Sequence, residues 1–151
     1  MTPVLDANVL LRLADPQAAQ HPAAVAAVRA LVAAGDTPVT VPQSVYEFWV
    51  VATCPLAQNG LGLSVPECAA RLGPLLARFP VRPDAPTLYA EWRRLVEDHD
   101  CKGKVAHDAR YAAALAAHGL THLVTFNGGD FARFPQVVVL DPATPAAPPG
   151  P

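Results

Sequence analysis

The stretch "KVAHDARYAAALAAHGLTHLVTFNGGDF", Lys104 to Phe131, holds the pattern that decides the fold. From Asp108 onward, alanine and other apolar residues run at helical density, and Gly119 supplies the stop. "HLVTF" follows, a short and nearly continuous apolar run of the kind buried on both faces of a sheet. A carboxylate stands at each end, Asp108 where the helix opens and Asp130 in a Gly-Gly loop just past the strand. Ionised carboxylates beside an apolar core are costly unless a charge compensates them.

Outward from this unit the alternation of strand and helix continues. "PVLD", residues 3–6, is a short buried strand running straight into the helical "ANVLLRLA". "HPAAVAAVRALVAA" is a helix with an early proline and Gly35 as its stop, and "PVTV", 38–41, is a second strand. "PQSVYEFWVVAT" reads as a helix, "CPLAQNGLGL" as a loop, and "SVPECAARLGPLLARF" as a helix opened by Ser64 and Glu67 at capping-box spacing. Gly73-Pro74 is expected to kink or split that helix. "PVRP" is a possible third strand. "DAPTLYAEWRRLVEDHD" is an amphipathic helix with Leu88, Trp92, Leu95 and Val96 on one face, and "VVVL", 137–140, is a last strand. The class is α/β: a sandwich of helices about a central, mainly parallel, short-stranded sheet with right-handed crossovers.

With 151 residues the chain fits one domain, taken as residues 1–141. The closing "DPATPAAPPGP" cannot form a helix or central strand, so 142–151 is expected to be a Pro-rich disordered tail. No apolar run nears the roughly 20 residues of a membrane span, and the amino terminus lacks the pattern of a signal peptide. The three cysteines, Cys54, Cys68 and Cys101, form no CxxC pair, which argues against a zinc site or disulfide framework and fits a reducing, cytoplasmic setting. Net charge is −2, so nucleic-acid binding would have to rest on a local patch.

Thirteen acidic residues are few enough to sort individually. Asp15, Asp36, Asp84 and Asp141 sit in turns or caps, Glu67 in a first helical turn, and Glu91, Glu97, Asp98 and Asp100 about a polar helix with Arg93 and Arg94. Four remain, Asp6, Glu47, Asp108 and Asp130. Each has a structural reading: Asp108 as a cap, Asp130 as a turn residue, Glu47 as the partner of Arg12 or Arg110. Asp6, at a strand end running into an apolar helix, has few such uses. In an open parallel sheet, ligands bind beyond the carboxyl ends of the strands, where Asp6 and Asp130 lie. Carboxylates gathered there would raise one another's pKa values unless a hard divalent cation, Mg²⁺ or Mn²⁺, balanced them. Such a site supports phosphoryl displacement by activated water. No Walker loop, GxGxxG or GxSxG is present to suggest nucleotide-loop or serine-hydrolase chemistry.

"LDANVLL", "SVYEFW" and "KVAHDARYAAALAAHG" leading to "LVTFNGGDF" together resemble the PIN-domain ribonucleases, above all the VapC-type toxins of toxin–antitoxin pairs. The resemblance runs from about Val4 to Asp141. It implies a PIN fold and Mg²⁺-dependent endoribonuclease activity. Asp6, Glu47 and Asp108 match the family's metal-site acids, with Asp6 and Asp108 as metal ligands and Glu47 and Asp130 in support. Family members can carry an Asp soon after the strand's Thr. Here Asn127 holds that place, and Asp130 lies three residues on. Thr125 matches the strand-end hydroxyl that positions water or phosphate. A small VapB-like antitoxin is the partner the resemblance implies.

Around the acids, Lys104 and Arg110, with Asn127 and Thr125, are candidates to bind the RNA substrate, and Lys102 is a further basic neighbour. Arg12 is another candidate or a partner of a site acid. His107, and Phe48 and Trp49, are assigned to surface and core respectively. The helix 21–34 and the face carrying Tyr89 and Trp92 show enough apolar surface to suggest a homodimer. Two readings compete with the nuclease: a non-catalytic RNA- or protein-binding PIN module, motivated by Asn127, and a phosphoacceptor on Asp6, for which no lysine is well placed.

Overall fold

The computed structural model describes residues 1–144. Its elements, in chain order, are β1 (Val4–Leu5), α1 (Ala7–Ala14), α2 (His21–Ala33), α3 (Pro42–Thr53), α4 (Val65–Arg78), α5 (Leu88–Asp98), α6 (Val105–Ala117), β2 (His122–Val124) and β3 (Val138–Leu140). Short 3₁₀ turns lie at Leu56–Gln58 and Gly128–Phe131. The expected tail falls largely on 145–151, outside the described residues. Its first part is ordered: Pro142 is buried, and Asp141 closes a turn by accepting from the Ala143 N–H at 2.9 Å.

β1, β2 and β3 pair in that order, all parallel, with Val4 opposite Leu123 and His122 opposite Val138. The other two expected strands are reduced to single parallel bridges, Val4 with Val39 and Thr40 with Val81. Prolines flank both segments, and a residue without an N–H cannot extend a ladder. Across the sheet the chain segments therefore run in the order third, second, first, fourth, fifth. The direction of travel reverses between β1 and β2, which makes the gap beyond their carboxyl ends the switch point where ligands bind.

Strand alternation sorts the core into two halves. Val4 and Leu123 face one side, packed with Leu95, Ala112, Ala113 and Phe134 beneath α5 and α6. Leu5 and Val124 face the other, packed with Leu10, Phe48, Cys68 and Leu72 from α1, α3 and α4. The result is the expected α/β/α sandwich. One expectation fails in part: α4 runs unbroken through Pro74. Gly73, Pro74 and the neighbouring Ala70 are all exposed, so the carbonyl deprived of a helical partner meets water. Ser64 and Glu67 form both halves of the capping box, at 3.3 and 2.7 Å. Helix α2 leaves Val32 41% exposed, and α5 leaves Tyr89 67% exposed.

Candidate functional site

Asp6 ends β1 and caps α1 by position, yet its side chain makes no capping bond. Its backbone N–H donates to the Val124 carbonyl at 3.0 Å, which pins the end of β1 against β2. The carboxylate Oδ2 instead accepts from the Thr125 hydroxyl at 2.6 Å and from Asn8 Nδ2 at 2.8 Å. Asn8 also reaches Thr125 Oγ1 at 3.0 Å and accepts from the Phe126 N–H at 3.2 Å. "LDAN" and "VTFN" are thus sewn together across the switch point.

The four unexplained acids meet here. Asp6, Glu47, Asp108 and Asp130 line one pocket of about 200 Å³, together with Asn8, Lys104, Tyr111 and Asn127. Their electrostatics carry the mark of crowding. Burial, and then the charge of Glu47, raise the Asp6 pKa, against the opposing Thr125 hydrogen bond. Asp108 is raised by burial and by the charges of Asp130, Glu47 and Asp6, with Lys104 pulling the other way. Burial, Asp6 and Glu47 together push the Tyr111 phenol well above its ordinary value.

The structural readings of Asp108 and Glu47 fall away, while Asp130 does sit in the turn Gly128–Phe131, its N–H donating to the Asn127 carbonyl at 3.0 Å. Lys104, not Asp108, is the N-cap of α6, and Asp108 makes no side-chain capping bond. Glu47 takes no arginine: Gln43 Nε2 donates to Oε1 at 2.8 Å and the Tyr111 hydroxyl to Oε2 at 3.2 Å. Arg12 is held by Gln20 at 3.0 Å and Arg110 by Asp84 at 2.7 Å. Of the remaining acids, Asp15 closes a turn onto Gln17, and Glu97, Glu91 and Asp98 pair with Arg93 and Arg94 as sorted. Asp36 and Asp84 differ from the turn or cap expected of them, since Asp36 meets the terminal ammonium and Asp84 holds Arg110.

Of the expected substrate contacts, Lys104 and Asn127 line the pocket. Thr125 does not. It is fully buried, and its hydroxyl donates to Asp6 while accepting from Asn8 and from the Asn127 N–H at 3.1 Å, so no lone pair or proton remains for a ligand. Arg110 lies on the other flank of α6, where the pair with Asp84 and a 3.4 Å contact to Gln43 Oε1 hold it. Three participants went unnoticed in the sequence, Asn8, Gln43 and Tyr111. Each sits at a short interval from a site acid: two residues past Asp6, one turn before Glu47, one turn after Asp108.

The donor set is hard oxygen throughout. Among the described residues, no three Asp, Glu, His or Cys side chains draw close enough to ligate an ion between them. Mg²⁺ needs fewer, since one or two carboxylates hold it while waters complete the octahedron. Asp6 and Asp108, both raised by burial and by neighbouring acids, fit such a cation.

Several solved structures share this fold. VapBC-1 of nontypeable Haemophilus influenzae aligns with a TM-score of 0.68 at 15% identity, over 95% of this chain and all (100%) of that one. FitAcB of Neisseria gonorrhoeae aligns at 0.65 and 22%, over 95% and 99%. VapC20 of Mycobacterium tuberculosis, described as a sarcin-ricin loop cleaving toxin, aligns at 0.63 and 16%, over 89% and 95%. No curated protein matches in sequence. The PIN domain family model matches residues 4–137, nearly the whole described chain, and the chain therefore belongs to the PIN-domain family.

Proposed function

We propose that this chain is a divalent-metal-dependent endoribonuclease and the toxin of a VapBC-type toxin–antitoxin pair. The observation that carries the reading is the convergence of Asp6, Glu47, Asp108 and Asp130 on one pocket at the switch point. Family membership supports nuclease chemistry, and the neighbours named for toxin–antitoxin complexes support an antitoxin partner.

Asp6 and Asp108 would hold Mg²⁺, or Mn²⁺ in its place, with Glu47 and Asp130 assisting through water. When bound, the ion supplies a Lewis acid for the scissile phosphate and lowers the pKa of water. The chain's own groups set the geometry. Thr125 and Asn8 hold Asp6 through Oδ2. Gln43 and Tyr111 hold Glu47 through one oxygen each. Lys104 and Asn127 contact the phosphate backbone at the pocket wall, where a lysine serves as a point charge. In the same reading the protein works in the cytoplasm as a homodimer. Among the described residues no helix is long and apolar enough to cross a membrane.

Asp6→Asn and Asp108→Asn should each abolish cleavage of total RNA and growth arrest on induction, while far-UV circular dichroism stays that of the parent. Excess EDTA should stop the parent enzyme. Full activity in either variant, or in EDTA, sinks the proposal. A second reading, a non-catalytic RNA- or protein-binding PIN module, is favoured by Asn127 at the family's acidic position and by the spread of the acids. It predicts RNA retention without turnover at every Mg²⁺ and Mn²⁺ concentration, and one metal-titratable product ends it.

A further inference from the structure

Helix α6 has a second cavity on its other flank. Ala106, His107 and Arg110 of α6 face Leu88, Tyr89 and Trp92 of α5 across about 420 Å³, a volume in the range of small-ligand pockets. His107 and Asp108 are helical neighbours pointing about 100° apart, so the two cavities flank the same turn. Gln43 joins them: its Nε2 donates to Glu47 of the acidic pocket and to the His107 carbonyl at 2.9 Å, and its Oε1 accepts from Arg110.

The lining is planar, aromatic and cationic. The Tyr89 and Trp92 rings stand 6.2 Å apart, tilted by 33°. The Trp92 indole N–H is committed to the Ala106 carbonyl at 2.7 Å, which fixes the ring and leaves its face, rather than its donor, to offer. Asp84 holds the Arg110 guanidinium in place, and Tyr89, though paired with Trp92, is 67% exposed. Unstacked bases of single-stranded RNA are recognised on aromatic rings and guanidinium planes of this kind. Arg110 on this side and Lys104 on the other place positive charge where a connecting phosphate backbone would cross.

We propose that this cavity receives an unstacked nucleobase of the RNA strand whose phosphate enters the acidic pocket, and so sets which nucleotide flanks the cut. The proposal rests on the nuclease reading for its strand polarity and register, but not for binding itself. It also returns Arg110 to the substrate, at a base rather than at the scissile phosphate. The distance to span is about one helix diameter, about 10–12 Å, within reach of a neighbouring nucleotide.

The test uses the full chain and a short fluorescent single-stranded RNA. Each position around the cut is made abasic in turn. Affinity is read by anisotropy in EDTA, and turnover is read separately with Mg²⁺. Base–aromatic stacking energies correspond to about 5- to 100-fold in affinity. Tyr89→Ala, a change at an exposed ring, should weaken Kd by that factor and raise KM alike, with kcat within about twofold. Tyr89→Phe should restore both. One abasic position should reproduce the loss, and Tyr89→Ala combined with it should lose nothing more. An unchanged Kd in Tyr89→Ala, losses that multiply, or an altered oligomeric state with unchanged Kd would each overturn the proposal, the last by assigning the face to a second copy of the chain. Binding of this pattern without turnover would uphold the base site and defeat the nuclease reading. Metal-dependent turnover in Tyr89→Ala with Kd and KM both unchanged would do the reverse, and no RNA binding at all would reject the base site.

Discussion

Asp108 shows how one side chain can be useful because it is uncomfortable. It is partly buried and faces Asp130, Glu47 and Asp6, against which only Lys104 offers relief. Its pKa is therefore raised on folding, and the folded state binds its proton more firmly than the unfolded chain does. The sign follows from proton linkage. The group is no burden at low pH, and stability falls as pH rises from the unfolded carboxylate value near 4, about where a free Asp titrates, through the raised folded value. Asp108→Asn removes that burden. In EDTA at pH 7 the variant should melt above the parent, and the difference should shrink as pH approaches 4. Thermal unfolding across a pH series reads this directly. A variant less stable than the parent at pH 7 would show that Asp108 is a structural residue, not a strained ligand. The same substitution is expected to destroy activity, so gain and loss on one residue separate strain from function.

At the scale of elements, legibility tracked periodicity and punctuation. Helices α1 and α3 fall where the sequence placed them, because an apolar pattern bounded by Asp6, Pro42 and Cys54 leaves little freedom. The second and third strands shrank to bridges because ladder length depends on neighbours and on prolines, which local pattern underweights. The unbroken α4 depended on solvent exposure around Pro74, a tertiary fact. In α6 the alanines have a purpose that composition only hints at. Ala109, Ala112 and Ala113 are completely buried in the core half that also holds Val4 and Leu123, and their small size suits the close packing of α6 on α5. Ala113→Leu should therefore overpack the core, at about 1–3 kcal/mol, a loss measurable by urea unfolding. Because α6 also carries Asp108 and Tyr111, cleavage by the still-folded fraction should fall too. Unchanged stability would mean that this contact has slack.

For the whole molecule, nine of the acids had ordinary uses. Asp108, Asp130 and Glu47 each had one too, but with Asp6 they all lay in apolar surroundings and could share one rim. The four could therefore be picked out, though only as a set. Their partners could not. Tyr111 and Gln43 look like core and cap residues until the fold sets them against Glu47, and Asn8 gains meaning only when Thr125 arrives from 117 positions away. A fold that assembles mutual repulsion at its switch point makes its stability depend on whatever neutralises it. An ion that binds only the folded state stabilises by mass action, about 2.7 kcal/mol at a hundredfold excess over Kd. For a chain of this size that corresponds to a rise in Tm of about 5–11 °C. Mg²⁺ or Mn²⁺ added to EDTA-stripped protein should raise Tm along a saturating curve, and Asp6→Asn should flatten it. Asp108→Asn should start from a higher Tm in EDTA and gain little. Equal gains in parent and variants would place the ion elsewhere, and no gain in the parent would leave the crowded carboxylates without the cation this proposal requires.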